Sequence, residues 1–193
     1  MGSVRRVVAS GFVVALAMVF SGWGGASAMT GQRVTKAALK PYVVRAGDEP
    51  GYRSNGASFF GSTDFGSAPA AVVKRLRAEG YRGLMFEGVS GPNGASGTAQ
   101  VIVLGSATGA KSELKADVSP SLAVQPHFTI KQIPTSVGFT GKSKSQHGAV
   151  VFFVEGSCEL ALSNTASGAP RPVVIAGALA IYDRTAHSGG VCG

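Results

Sequence analysis

The sequence predicts an α+β domain, with one antiparallel sheet of about five to six strands and two to three helices on one face. Three observations predict it. Short apolar runs alternate with turn-rich segments, two pairs of runs have hairpin spacing, and a helical pattern follows each hairpin. The order strand, turn-rich loop, hairpin, helix occurs twice, which suggests two related halves.

The chain opens as an export signal. Arg5 and Arg6 precede an apolar run over residues 7–20, and small residues ending in Ala26-Ser27-Ala28 follow. The run is about 14 residues long and is interrupted by Ser10 and Gly11, whereas a membrane-spanning helix needs about 20. Residues 1–28 are therefore expected to be a cleaved signal peptide, leaving no transmembrane anchor and a secreted, extracytoplasmic protein. No cysteine lies near the cut to carry a lipid. Residues 29–41 read as a polar lead-in ending in Lys40-Pro41, and residues 42–193 as a single domain.

Residues 42–45 can form a strand, and residues 46–52 are dense in turn signals. Residues 54–67 read as a Gly- and Ser-rich loop that carries Phe59, Phe60 and Phe65. A helix follows, capped by Ser67 or Ala68 with Pro69 in its first turn, facing inward through Val72, Val73 and Leu76 and stopping at Gly80. Strands 83–88 and 99–104 flank Gly91-Pro92-Asn93-Gly94, whose turn chemistry makes a hairpin. A second helix covers about 108–118 and breaks at Ser119-Pro120. Residues 128–133 read as a strand and 134–148 as a loop. Residues 149–155 and 159–162 read as a hairpin about Gly156, and 171–186 as a helix whose Val174, Ile175, Ala178, Leu179 and Tyr182 share a face.

Without Arg5 and Arg6 the chain keeps 16 of its 18 basic side chains against 10 acidic ones, a net charge of +6. Such a surface attracts anionic partners: a wall polymer, a small ligand or an acidic protein. Nucleic acid is not expected, because neither Lys74-Arg75-x-Arg77 nor Lys142-x-Lys144 is interleaved with aromatic residues. Cys158 and Cys192 would meet oxidants outside the cytoplasm, so one disulfide is expected. The alternative is two free thiols, and the spacing does not decide between them.

No catalytic constellation stands out, and no cofactor motif is complete. Residues 105–112 resemble a phosphate-binding loop, but Ala110 stands where glycine must precede the lysine, so a strand-to-helix turn capped by Ser106 or Thr108 is expected. His127, His147 and His187 lie in separate segments without metal-ligand spacing. Asp48 and Glu49 are the adjacent carboxylates, and in a turn such a pair is expected to be solvated or capping. A secreted hydrolase with dispersed residues remains the alternative, with Cys158, Asp183 and His187 as its candidates. Tyr52, Phe59, Phe60, Phe65 and Phe139 either line an apolar ligand pocket at the sheet edge or close the core, and core closure is favoured.

The turn Asp48-Glu-Pro-Gly-Tyr52, the helix start Gly-Ser-Ala-Thr-Gly-Ala at 105–110 and the Ala-rich helix at 175–184 carry a family likeness. Over most of residues 39–186 the chain resembles secreted proteins and lipoproteins of actinobacteria, and the extracytoplasmic sensor domains of some of their membrane serine/threonine kinases. It departs from the lipoproteins in lacking the acylated cysteine. The resemblance implies no catalytic residues; it implies an envelope-associated domain for binding or sensing. N-terminal sequencing of the exported protein is expected to begin at Met29, and a mature chain that keeps Met1 contradicts the reading of residues 1–28.

Overall fold

The computed structural model describes residues 34–66, 68–122, 124–143, 145–186 and 190–193. The signal segment 1–28 lies outside the described residues, as do Ser67, Lys144 and His187. In chain order the elements are α1 (Lys36–Leu39), β1 (Arg53–Gly61), α2 (Ala70–Ala78), β2 (Gly83–Ser90), β3 (Ser96–Val103) and α3 (Ala107–Leu122). They continue with β4 (His127–Ile130), β5 (Ile133–Ser143), β6 (Gln146–Glu155), β7 (Cys158–Ala166) and α4 (Arg171–Thr185). The seven strands form one sheet, fully antiparallel, in the order β1-β2-β3-β7-β6-β5-β4.

Strand alternation assigns the layers. Met85 and Val89 of β2, Val101 of β3, Phe153 of β6 and Leu160 and Leu162 of β7 share a core with Val174, Ala178 and Ile181 of α4. Leu84, Ile102 and Val154, one residue out of phase, pack instead with Leu76 of α2 and Ala110 of α3. Phe139, Phe152 and Ala161 meet Val118 of α3 on that same side. Helices therefore cover both faces, where the sequence suggested one. The central strands are apolar on both sides for this reason, and their near-continuous burial is that of strands covered on both faces. The halves match in order only: β2-β3-α3 and β6-β7-α4 are each a hairpin followed by a helix, yet α3 and α4 lie on opposite faces.

The sheet has seven strands because two segments expected to be loops are strands. β1 is an edge strand, largely exposed, with a bulge between Ser54 and Ala57 where Gly56 takes φ +96°. Pairing with β2, not side-chain burial, keeps it extended. In β5, Gly138 leaves room for the ring of Phe128, since a Cβ there would lie 2.3 Å from it. Residues 42–45, expected as a strand, instead follow a 3-10 turn at Lys40–Tyr42 and bury Tyr42, Val43 and Val44. The second helix runs past Ser119-Pro120, where the Ser119 hydroxyl donates to the Lys115 carbonyl at 2.5 Å.

Cys158 and Cys192 are joined across a separation of 34 residues. The Ser157 N–H donates to the Cys192 carbonyl at 2.6 Å, so the tail is bound covalently and by hydrogen bonding to the β6-β7 turn. Replacing both cysteines by alanine is expected to lower the unfolding free energy by about 4 kcal/mol on the loop-entropy model. Urea unfolding of the oxidised protein and the double variant measures this, and a loss below about 1 kcal/mol contradicts it.

Candidate functional site

The segment before β1 folds back over the α4 side of the sheet. Thr35 caps α1 by accepting the Ala38 N–H at 3.2 Å, and the buried Leu39 anchors the turn. Arg184, near the end of α4, then fastens the segment. Its guanidinium donates to the Pro41 carbonyl at 2.9 Å and the Val43 carbonyl at 3.0 Å, and forks onto both oxygens of Asp48 at 3.0 Å. Asp48 also accepts the Arg45 N–H at 2.7 Å, which closes the turn.

Between this segment and strands β1 and β2 lies a cleft of about 480 Å³. Val43, Val44, Ala57 and Met85 give it apolar walls, Lys36, Lys40 and Arg45 supply cations, and Glu87 supplies a carboxylate. The three cations are exposed, whereas Glu87 is buried and accepts a hydrogen bond from the Ser54 hydroxyl. The cleft can therefore hold an anionic group at its rim and a hydroxyl or amine donor at Glu87.

Buried polar side chains share this face with Glu87. Two glycines make room for them: a Cβ at Gly97 would lie 1.8 Å from Asn164 Oδ1, and one at Gly177 would lie 2.8 Å from Glu49 Oε1. Both oxygens of Glu49, one of Glu87, both polar atoms of the Asn164 amide and the Tyr42 hydroxyl lack a hydrogen-bond partner within the protein. Burial, reinforced by the charges of Asp48 and Glu87, pushes the Glu49 carboxyl up to about 7; the nearby Asn164 amide opposes this without completing a hydrogen bond. Burial and Asp48 likewise raise Glu87 above the usual carboxylate range, against the Ser54 hydrogen bond. Such a group of raised carboxyls beside a cleft is a recognised mark of function.

The five aromatic candidates are spread over three clusters. Tyr52 and Phe59 join the core under α4, Phe60 and Phe65 pack on the α2 side, and Phe139 is buried against α3. Tyr52 lies flat under Gly91, where a Cβ would meet its ring at 2.6 Å. The structure does not bring the five together. Cys158 is committed to its disulfide and is fully buried, Asp183 is exposed, and His187 lies outside the described residues. Ser106 caps α3 as expected, accepting the Gly109 N–H at 3.1 Å. Glu79 packs against Gly109 and accepts from the Ser112 hydroxyl at 2.7 Å, placing a carboxylate where a phosphate loop would seat its ligand. Of the Asp48-Glu49 pair, Asp48 caps a turn as expected, but Glu49 is 1% exposed and not solvated.

No family model matches the chain, and no curated protein sequence resembles it. Its fold does have a counterpart. It is similar to the extracellular domain of PknH from Mycobacterium tuberculosis, with a TM-score of 0.55 and 10% identity, over 79% of this chain and 96% of that one. The resemblance to sensor domains of membrane kinases thus holds at the level of the fold. Among the described residues, no helix is long and apolar enough to cross a membrane.

Glu49 gives the site a pH signature. Between its ordinary value of 4.5 and about 7, the folded protein keeps a proton that the unfolded chain releases. Stability from this group is thus complete below pH 4.5 and declines as pH rises toward 7, by about 3 kcal/mol at most. The difference between wild type and Glu49→Gln, read by urea unfolding from pH 4.5 to 7.5, should change by roughly that amount. A constant difference across the range contradicts the assignment.

Proposed function

We propose that the protein is a non-enzymatic extracytoplasmic binding domain, associated with the cell envelope, and that its ligand occupies the cleft between residues 36–45 and strands β1 and β2. The observation that carries the reading is the lining itself: three exposed cations and a buried carboxylate set around apolar walls. The ligand that fits this chemistry is small, carries a phosphate or carboxylate for Lys36, Lys40 and Arg45, and presents a hydroxyl or amine to Glu87. A phosphorylated or carboxylated sugar of the envelope has both features. The fold shared with an extracellular domain supports the location, as does the disulfide.

The version of the hydrolase reading that uses Cys158 as nucleophile has no free thiol. Cys158 is oxidised, and neither Cys158 nor Asp183 lines the cleft.

Native mass spectrometry of the protein from its own culture medium, followed by thermal-shift titration with phosphorylated and carboxylated sugars, tests the proposal. Replacing Lys36, Lys40 and Arg45 together by serine should leave folding nearly unchanged, because all three are exposed. It should weaken binding at least tenfold and reduce its dependence on salt. A ligand bound equally well by the triple variant rules out the cleft as its site.

A further inference from the structure

The face opposite the cleft carries a side-chain cluster that the proposed function does not use. Glu113 and Asp117 stand one turn apart on α3, Arg75 reaches them from α2, and Glu159 projects from β7, the central strand. The Arg75 guanidinium donates to both oxygens of Glu113 at 2.6 Å and to Asp117 at 2.7 Å. One cation therefore serves two carboxylates. Glu159 is 2% exposed, and neither of its oxygens has a hydrogen-bond partner within the protein. Yet one oxygen from each of the three carboxylates can be chosen so that all lie within 4.8 Å of one another. Glu159 is thus an unpartnered buried acid directed into an acidic cluster.

We propose that Glu113, Asp117 and Glu159 bind a hard divalent cation, Ca²⁺ foremost. The donors are all oxygen, which suits Ca²⁺, Mg²⁺ or Mn²⁺. At the Ca–O distances of about 2.3–2.6 Å, ligands on opposite sides of the ion stand about 4.6–5.2 Å apart, and the three oxygens fall within that span. Three carboxylates and one guanidinium sum to a formal charge of −2, which a divalent ion cancels without displacing Arg75. Carboxylate oxygens have spare lone pairs, so Glu113 and Asp117 can accept from Arg75 and ligate an ion together. The side chains of Arg75 and Asp117 keep 33% and 29% exposure and provide the way in.

The cluster is short of positive charge, with one guanidinium facing three carboxylates. An ion there ties α3 to the central strand and, through Arg75, ties α2 to both.

The exported protein, stripped with EDTA and moved to chelator-free buffer, is titrated calorimetrically with CaCl₂, MgCl₂ and MnCl₂, and its Tm is read with 1 mM of each. At least one should bind at one ion per chain and raise Tm by several degrees. Glu159→Gln, which keeps the side-chain shape, and Asp117→Asn, at the partly exposed position, should each weaken that binding at least tenfold. Absence of binding by all three ions overturns the proposal, as does binding that persists unchanged in both variants.

Discussion

The cleft depends on Arg184. Its guanidinium holds Pro41, Val43 and Asp48 across 136 to 143 residues of chain, so one side chain of the last helix fixes the segment that forms a cleft wall. The pair with Asp48 keeps only 19% and 11% side-chain exposure. Water and salt therefore screen it less than a surface ion pair, and its planar fork suits one carboxylate and two carbonyls at once. Lysine at this position would keep the charge and lose the fork. The carbonyls of Pro41 and Val43 would then be left short of donors in a partly buried place, and the cleft wall would lose its register against β1 and β2.

Helix α4 can hold that wall because it is itself held at several levels. Val174, Ala178 and Ile181 are fully buried against the sheet, Gly177 lets Glu49 approach, and the Thr185 hydroxyl donates to Glu155 at the end of β6. Just beyond the helix, the disulfide brings the tail back to the start of β7. The last turn of the helix and the tail after it are thus both tied to the β6-β7 hairpin, and Arg184 stands next to the first of those attachments. Its position is set by the sheet rather than by the segment it grips.

Elements with strong local signals were readable from the residues, and those held by distant pairing were not. The helices after Pro69 and Pro170 and the hairpins at Gly94 and Gly156 carry their own turn chemistry, and the pairing of Cys158 with Cys192 was expected from the export signal read in residues 1–28. β1 and β5 lack such signals, because Gly56, Gly138 and Gly141 are strand-weakening residues whose use shows only when the neighbouring strand or ring is in place. The candidate site was harder still. The aromatic residues drew attention by their size, but the sheet sorted them onto opposite faces. The cleft draws its cations from residues 36–45 and its carboxylate from β2, and no spacing rule links those segments. Nothing in the sequence singled out Glu113 and Asp117, four apart on a predicted helix, or Glu159 in an apolar strand, and only the third dimension joins them.

The burial of acids also changes what the charge means. Of ten acidic residues, Glu49, Glu87, Glu113 and Glu159 are buried, so four carboxyls are largely withdrawn from the surface while the lysines among the described residues remain on it. Burial favours the neutral form of Glu49, Glu87 and Glu159, and a neutral carboxyl contributes no negative field. The outer surface is therefore more cationic than the formal net charge of +8 implies. Burying acids destabilises the fold, and a chain under selection for stability alone would replace them with apolar residues. Their placement in two groups, one beside an open cleft and one around an oxygen-lined cluster, locates that strain where a ligand or an ion can relieve it.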